Sequence, residues 1–501
     1  MSATDYDKLS LHEQIMLRPD TYVGSYTTHS ESRWIWDVTG RRMVWRPVVV
    51  NPALLKLFDE VLVNALDHRV RLIQKGSDAP VKHIDVTVTP ERITVRNDGE
   101  GIPVDEHPVH KLYVPEMIFG NLLSGSNYKD KDGGSQERIW GGMNGYGAKL
   151  ANIFSTEFAL ETVDGARHKR YKQVWRRNML DCGKPTITKA TCKPFTEISF
   201  VPDLTRFKWE GATPTTIPAD MVAIMQTRVV DAAACAGKDC KVTLNGTLLT
   251  ANNFQKYVGL YVEEEKKDLS GTASAAATAD DEASVVTGGS GATGATARKA
   301  KCIAYDAAGE RWEVAAILTR DLHGTVDADY RQISFVNGIN TRRGGKHTEY
   351  VVKQVMTAFC EMAKKKAKMA DITPAMLKDS VVFFINATIV NPSFDGQAKE
   401  YLTTVSKDFG SLPAIPPKFV DKLAKIGLLD EAQALMDAKN QKDAKKTDGR
   451  KRSTLRGIPK LEDAGWAGTA KSAECTLILT EGDSAASTAI AGLKVVGSDK
   501  Y

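Results

Sequence analysis

The sequence predicts a mixed α/β (α+β) chain of two or three domains, on three observations. At 501 residues it is too long for one ordinary domain. A stretch with apolar residues at helical intervals, 52-PALLKLFDEVLVNALDHRVRLI-73, is followed by two that alternate with period two, 84-IDVTVTP-90 and 92-RITVRND-98. The same mixture returns beyond residue 300, after a segment with almost nothing to bury.

Each element has its own grounds. Pro52 suits the first turn of a helix, and the two alternating stretches read as a hairpin. Residues 265–300, rich in Ala, Thr, Gly and Ser, predict a mobile low-complexity insert. The segments 301-KCIAYDAAGERWEVAAILT-319, 332-QISFVNGIN-340 and 381-VVFFINATIV-390 predict strands, with a helix over 347–365 between them. A charged helical linker is expected after 410, and 475-CTLILTEGDSAA-486 predicts a buried strand that opens a further domain.

Composition excludes several classes of protein. Hydrophobic residues make up 42% and charged residues 26%, and the longest apolar runs are too short to cross a bilayer, so no membrane partner is expected. The N-terminus is acidic and polar where a signal peptide would be basic and then apolar, which argues against secretion. Seven scattered cysteines form neither a disulfide framework nor a CxxC metal pattern, so thiols in a reducing compartment are expected. The net charge of +5 is small, but cations cluster at 364-KKKAK-368 and over 439–460, where a solvated surface and contact with a polyanion are both open readings.

Three constellations carry chemistry. Glu60 and Asn64 lie one turn apart on the predicted helix; a carboxylate and an amide there suit a general base for water and a Mg²⁺ ligand, although the spacing also fits an exposed helix face. In 97-NDGEGIPV-104, Asp98 stands at a strand end before two glycines, placed to accept from the amine of adenine or simply to form an Asp-Gly turn. In 141-GGMNGYGAKLANIFS-155, glycines 141, 142, 145 and 147 free backbone N–H groups to point inward. A helix N-terminus and Lys149 complete a cradle for phosphates.

In this order the three elements resemble the Bergerat ATP-binding fold of the GHKL superfamily. The stretches 18-RPDTYVGS-25, 58-FDEVLVNALD-67, 113-YVPEMIFGNLLSGSNY-128, 144-NGYGAKLANIFS-155, 333-ISFVNGINT-341, 391-NPSFDGQAKE-400 and 475-CTLILTEGDSA-485 narrow the resemblance to the eukaryotic-type DNA topoisomerase II family, over nearly the whole chain. The resemblance implies an N-terminal arm over 1–25, a GHKL ATPase domain over 26–250 and a ribosomal S5 domain 2-like transducer over 251–410. A linker over 411–472 and the first part of a TOPRIM domain over 473–501 would follow.

It also implies roles. Glu60 matches the general base, Asn64 the Mg²⁺ ligand and Asp98 the adenine reader. Ser126 and Asn127 match nucleotide contacts, and Gly142, Met143, Asn144, Gly145, Tyr146, Gly147, Ala148 and Lys149 the phosphate loop. Gln397, Ala398 and Lys399 match a loop that reaches the γ-phosphate from the transducer, Lys399 with a catalytic part. Lys364, Lys365 and Lys366 match a basic loop facing double-stranded DNA, and Glu481 a TOPRIM Mg²⁺ ligand.

Four departures stand out: Asp98 where Asn is usual, Met143 for an Arg, Ala398 for a Thr and His68 for an Asn. They point to a divergent lineage such as a protist or a large DNA virus. The activity implied is ATP hydrolysis with ATP and Mg²⁺, driving a homodimeric gate that captures a DNA duplex, in the nucleus or at a viral replication site. DNA cleavage is not expected of this chain alone. A non-cleaving clamp or chaperone like MutL or Hsp90, and an inactive GHKL scaffold, are the competing expectations.

Overall fold

The computed structural model describes residues 8–124, 137–142, 145–262, 302–324, 332–367, 369, 371–447 and 463–501. The insert over 265–300 and the basic residues 448–460 therefore lie outside the described residues, as do Ser126, Asn127, Met143 and Asn144. Residues up to Ala432 form one compact unit and Gln433–Tyr501 a second.

The first unit opens with α1 (Leu11–Leu17) and α2 (Asp20–Val23), then a hairpin of β1 (His29–Asp37) and β2 (Arg42–Val50). Helix α3 (Pro52–Gln74) follows. Asn51 caps it by accepting from the Leu54 N–H at 3.1 Å, and Pro52 occupies the first turn, where its missing N–H costs nothing. The predicted hairpin is β3 (His83–Val88) and β4 (Ile93–Asp98). Next come α4 (Val114–Gly120), α5 (Gly147–Ile153), β5 (Ser155–Asp164), β6 (Lys169–Arg176), β7 (Asp181–Cys182), β8 (Thr186–Lys189), β9 (Phe195–Pro202), α6 (Ala219–Ala236), β10 (Lys241–Leu244) and β11 (Thr247–Leu248). The strands order as β11-β10-β3-β4-β9-β5-β6-β7, with β8 also on β6; only β10 and β3 run parallel. Helices α3, α5 and α6 pack together, α3 against β4 and α6 against β10, so α3 spans the middle of the sheet.

After α7 (Phe254–Val258), a second sheet is built from β12 (Ala304–Asp306), β13 (Trp312–Leu318), β14 (Gln332–Val336), β15 (Ile339–Asn340) and β16 (Val381–Ala387), in the order β12-β13-β16-β14-β15. Strands β14 and β16 are parallel and need a long crossover, supplied by α8 (Lys346–Ala367) and α9 (Pro374–Leu377). One apolar core runs from the first sheet to the second. Tyr257 packs edge-on against Phe335, and Tyr261 against Phe384 at 5.0 Å between ring centroids.

Two expectations are revised. The linker expected over 411–472 is docked at its start: α10 (Pro417–Leu423) buries Phe419 and Leu423 completely, one turn apart, and packs on α8 and β12. The strand expected at 475 is not formed. Helix α11 spans Leu429–Thr447, and in the second unit α12 (Gly482–Val496) follows residues 475–480, which belong to no strand. Leu477 and Leu479 are 69% and 85% exposed, because a strand buries its apolar residues only against neighbours, and among the described residues none pairs with this one.

Candidate active site

One stripe of α3 builds a wall. Glu60, Asn64, His68 and Arg71 recur at helical spacing and line a cavity of about 460 Å³. Its floor is two cross-strand pairs of β4 and β9, Val95 with Ile198 and Asn97 with Thr196, joined by Ile102, Ile118 and Phe119. The glycine-rich loop supplies Gly142, Gly145, Tyr146, Gly147, Ala148 and Lys149 along one rim. The loop that follows β16 closes another side with Phe394, Gln397 and Lys399.

Asp98 does not reach the cavity. Side chains alternate along β4, so Val95 and Asn97 face the floor and Asp98 faces away. Its carboxylate accepts from the N–H groups of Lys82 at 2.7 Å and His83 at 2.9 Å, and pairs with His83 Nδ1. The polar residues on the floor are Asn97, 7% exposed, and its cross-strand partner Thr196. Period-two alternation in 92–98 already carried this signal. His68, the replacement one turn beyond Asn64, lies in the wall with its Nε2 buried and unpartnered among the described residues, and burial lowers its pKa.

The loop is tethered differently from expectation. The N–H groups of Gly141 and Gly142 do not point inward; they donate to Asp67 Oδ1 at 2.9 Å and Oδ2 at 2.8 Å. Asp67 is buried on α3, and that burial raises its pKa against the opposing pull of these hydrogen bonds and of Arg71. The donors left for a ligand are those at the start of α5, whose first turn has no intrahelical acceptors. Lys149 is 2% exposed, and its Nζ donates to the carbonyls of Ser124 at 2.8 Å and Gly145 at 2.7 Å, so it braces the loop from inside. Burial lowers its pKa to about 8.

Glu60 meets two lysines. Lys56 Nζ lies 2.5 Å and Lys399 Nζ 3.3 Å from Glu60 Oε1. Burial pushes the carboxyl upward, yet the two cations outweigh it and hold the pKa at about 2. Lys399 also approaches the Gly141 carbonyl at 3.4 Å and has a left-handed backbone, φ 59°. A non-glycine residue there costs on the order of 1 kcal/mol, a strain typical of functional sites. The other oxygen, Oε2, faces α5: a Cβ on Gly147 would stand 2.0 Å from it, so only glycine lets the phosphate loop approach.

The second sheet grips this machinery at the turn between β14 and β15. Gly338 (φ 76°) and Ile339 lie over α3, where a Cβ on Gly338 would meet Leu66 at 3.0 Å and one on Gly141 would meet Ile339 Cδ1 at 2.8 Å. Behind them Arg228 of α6 donates to Asp59 Oδ1 at 2.7 and 2.9 Å, to Asp231 at 3.1 Å and to the Gly338 carbonyl at 3.2 Å. Asn340 also donates to Asp231 at 3.1 Å, and Arg342 pairs with Glu31 of β1.

Five further predicted residues stand apart, in three places. Ala398 lines a second, smaller cavity. Lys364, Lys365 and Lys366 are exposed in the last turn of α8, with Lys366 paired to Asp421 at 2.9 Å. Glu481 is exposed, and among the described residues no three His, Cys, Asp or Glu side chains cluster as a metal site. Among those residues, no helix is long and apolar enough to cross a membrane.

Comparison with known proteins gives concordant results. Residues 50–171 match the model of the histidine kinase-, DNA gyrase B- and HSP90-like ATPases, and residues 255–454 that of DNA gyrase B. DNA topoisomerase 2 of Saccharomyces cerevisiae is 41% identical over all of this chain, which spans 32% of that relative's length. The crystal structure of the ATPase region of the Saccharomyces cerevisiae topoisomerase II superposes with a TM-score of 0.70 at 37% identity, covering 87% of this chain and 100% of that one. The ATPase and transducer domains of DNA topoisomerase II from Balamuthia mandrillaris give 0.71 at 33% identity, covering 88% and 100%.

Proposed function

We propose, for a chain that belongs to the eukaryotic DNA topoisomerase II family and spans about a third of the length of the curated relatives it matches, that it binds and hydrolyses ATP to work a DNA gate. The observation that carries this reading is the convergence of Glu60 and Lys399, from two different domains, inside one cavity with an apolar floor and a glycine-rich rim. Adenine would lie on Val95, Ile198 and Phe119 with its amine toward Asn97, and the phosphates at the start of α5.

Asn64 would hold Mg²⁺. Its side chain lines the cavity one turn from Glu60, and Asp67 is turned to the loop; such a sparse donor set suits an ion that keeps waters and takes phosphate oxygens. When bound, Mg²⁺ would neutralise charge on those oxygens. For hydrolysis, Lys399 leaves Glu60 for the γ-phosphate. Glu60 thereby loses one of two cations, becomes more basic, and takes a proton from water. The water oxygen bonds to the γ-phosphorus while its bond to the bridging oxygen breaks, leaving ADP and phosphate.

At the scale of the gate, Lys399 ties the charge on the γ-phosphate to the angle between the two domains. Two chains then close on a DNA duplex, with Lys364, Lys365 and Lys366 facing it, as part of a nuclear enzyme. Steady-state turnover and titration with a non-hydrolysable ATP analogue test the chemistry. Glu60→Ala is expected to lower turnover at least about 100-fold while analogue affinity stays within about threefold, less than a kcal/mol. Equal turnover in parent and variant would sink the reading.

A further inference from the structure

The wall of the nucleotide cavity ends in a cation that the chain supplies with an aromatic ring. Arg71 lies on α3 about three turns beyond Glu60 and lines the cavity with Glu60, Asn64 and His68. Its guanidinium carbon stands 5.1 Å from the centroid of the Trp140 ring, in the segment that leads into the glycine-rich loop. Arg71 Nε is buried with no acceptor among the described residues, and so is Trp140 Nε1. Asp67, one turn before Arg71, is an anion close enough to feel its charge, but both oxygens of that carboxylate are taken by the N–H groups of Gly141 and Gly142.

A guanidinium only donates and never loses its charge, so one set in the wall of a cavity calls for an anionic oxygen. An aromatic face fixes such a group without neutralising it. Position along the wall says which oxygen. Glu60 and Lys399 mark the γ-phosphate end and Asn64 follows one turn on; Arg71 stands beyond them in the same stripe, where a Cβ on Gly142 would come within 3.8 Å of its Nη2. That is the end of the phosphate chain nearest the sugar. We infer that Trp140 is a positioning residue for nucleotide binding: its ring holds the Arg71 guanidinium against the root of the glycine-rich loop, where it receives the phosphate nearest the sugar. The inference rests on the ATPase reading given above.

The test is calorimetric titration of the parent, Trp140→Leu, Trp140→Phe, Arg71→Met and the double variant with ADP and the non-hydrolysable ATP analogue, with steady-state turnover and a thermal melt for each. Arg71→Met is expected to weaken both nucleotides about 10- to 100-fold, by the same factor because the γ-phosphate takes no part, and Trp140→Leu about 3- to 30-fold. Trp140→Phe, which keeps a ring face, should recover most of that loss. In Trp140→Leu the KM for ATP should rise while kcat stays within about threefold of the parent. Added to Arg71→Met, Trp140→Leu should cost less than about twofold more, whereas a loosened fold would cost its full factor again. If Trp140→Leu does not fold, Trp140→Met replaces it, and if neither folds, Arg71→Met with ADP decides. In a parent that binds the analogue, three results overturn this inference alone: a folded variant without a ring at 140 that binds ADP like the parent, a loss at 140 that persists in full without Arg71, or an Arg71→Met that binds ADP like the parent. A parent that binds neither nucleotide overturns the ATPase reading and this inference with it.

Discussion

Neighbouring side chains in 97-NDG-99 have opposite fates, and that opposition can be measured. Asn97 lies on the cavity floor, whereas Asp98 ties β4 to residues 82 and 83. Asn97→Ala is expected to weaken analogue binding by about 1–2 kcal/mol, roughly 5- to 30-fold, the cost of a hydrogen bond lost in a desolvated site. Asp98→Ala should leave affinity within about threefold, under a kcal/mol, and lower the melting temperature; the reverse pattern in calorimetric titration would return the adenine contact to Asp98. Lys149 gives a pH dependence. Its pKa, held near 8 by burial, would rise on contact with phosphates, so above pH 8 binding would take up a proton. Analogue affinity should fall as pH rises through 8–10, and Lys149→Met should flatten that slope; a flat profile in the parent would show that Lys149 does not meet the phosphates. The grouping of Glu60, Asn64 and Lys399 in one cavity was legible from their motifs, and Lys56, one turn before Glu60, was within reach of the same spacing; Asp67 was not legible, since its contacts depend on what folds against α3 from residues 141–142.

Among elements, α3 and the β3–β4 hairpin were readable almost to the residue. A proline start and alternation with period two are decided within a few positions. The apolar run at 475–480 reads as a strand by the same local rule but forms none, because pairing is a property of two segments. The contact between α6 and the 337–340 turn is non-local in the same way. Arg228 is 6% exposed and answers two carboxylates, one of them next to Glu60 in sequence. Arg228→Met would leave Asp59 and Asp231 without their cation, at a cost of about 3–5 kcal/mol. The expected readout is a lower urea midpoint together with slower ATP turnover, since the turn holds α3 in place. An unchanged midpoint would show that the carboxylates find other partners.

The first unit joins the nine-stranded and five-stranded sheets through one core, with packed aromatic rings between them. The N-terminal segment bears on assembly. Ile15 is fully buried and His12 Nε2 lies 2.7 Å from the Asn178 carbonyl, so α1 is folded onto its own chain. Light scattering with and without the analogue and Mg²⁺ should show a nucleotide-driven shift from monomer to dimer. The shift should survive Glu60→Ala, which binds without turnover; a monomer under every condition would remove the gate from the proposed function.

The packing of Ile339 on Gly141 has a further consequence, for how such a chain can change over time. Cδ1 of Ile339 occupies the space that a Cβ at 141 would need. A methyl gained on the loop side must be matched by a methyl lost on the other, as in Gly141→Ala with Ile339→Val. Across a lineage these two positions should drift together, so that a pocket for nucleotide and a joint between domains are inherited as one trait.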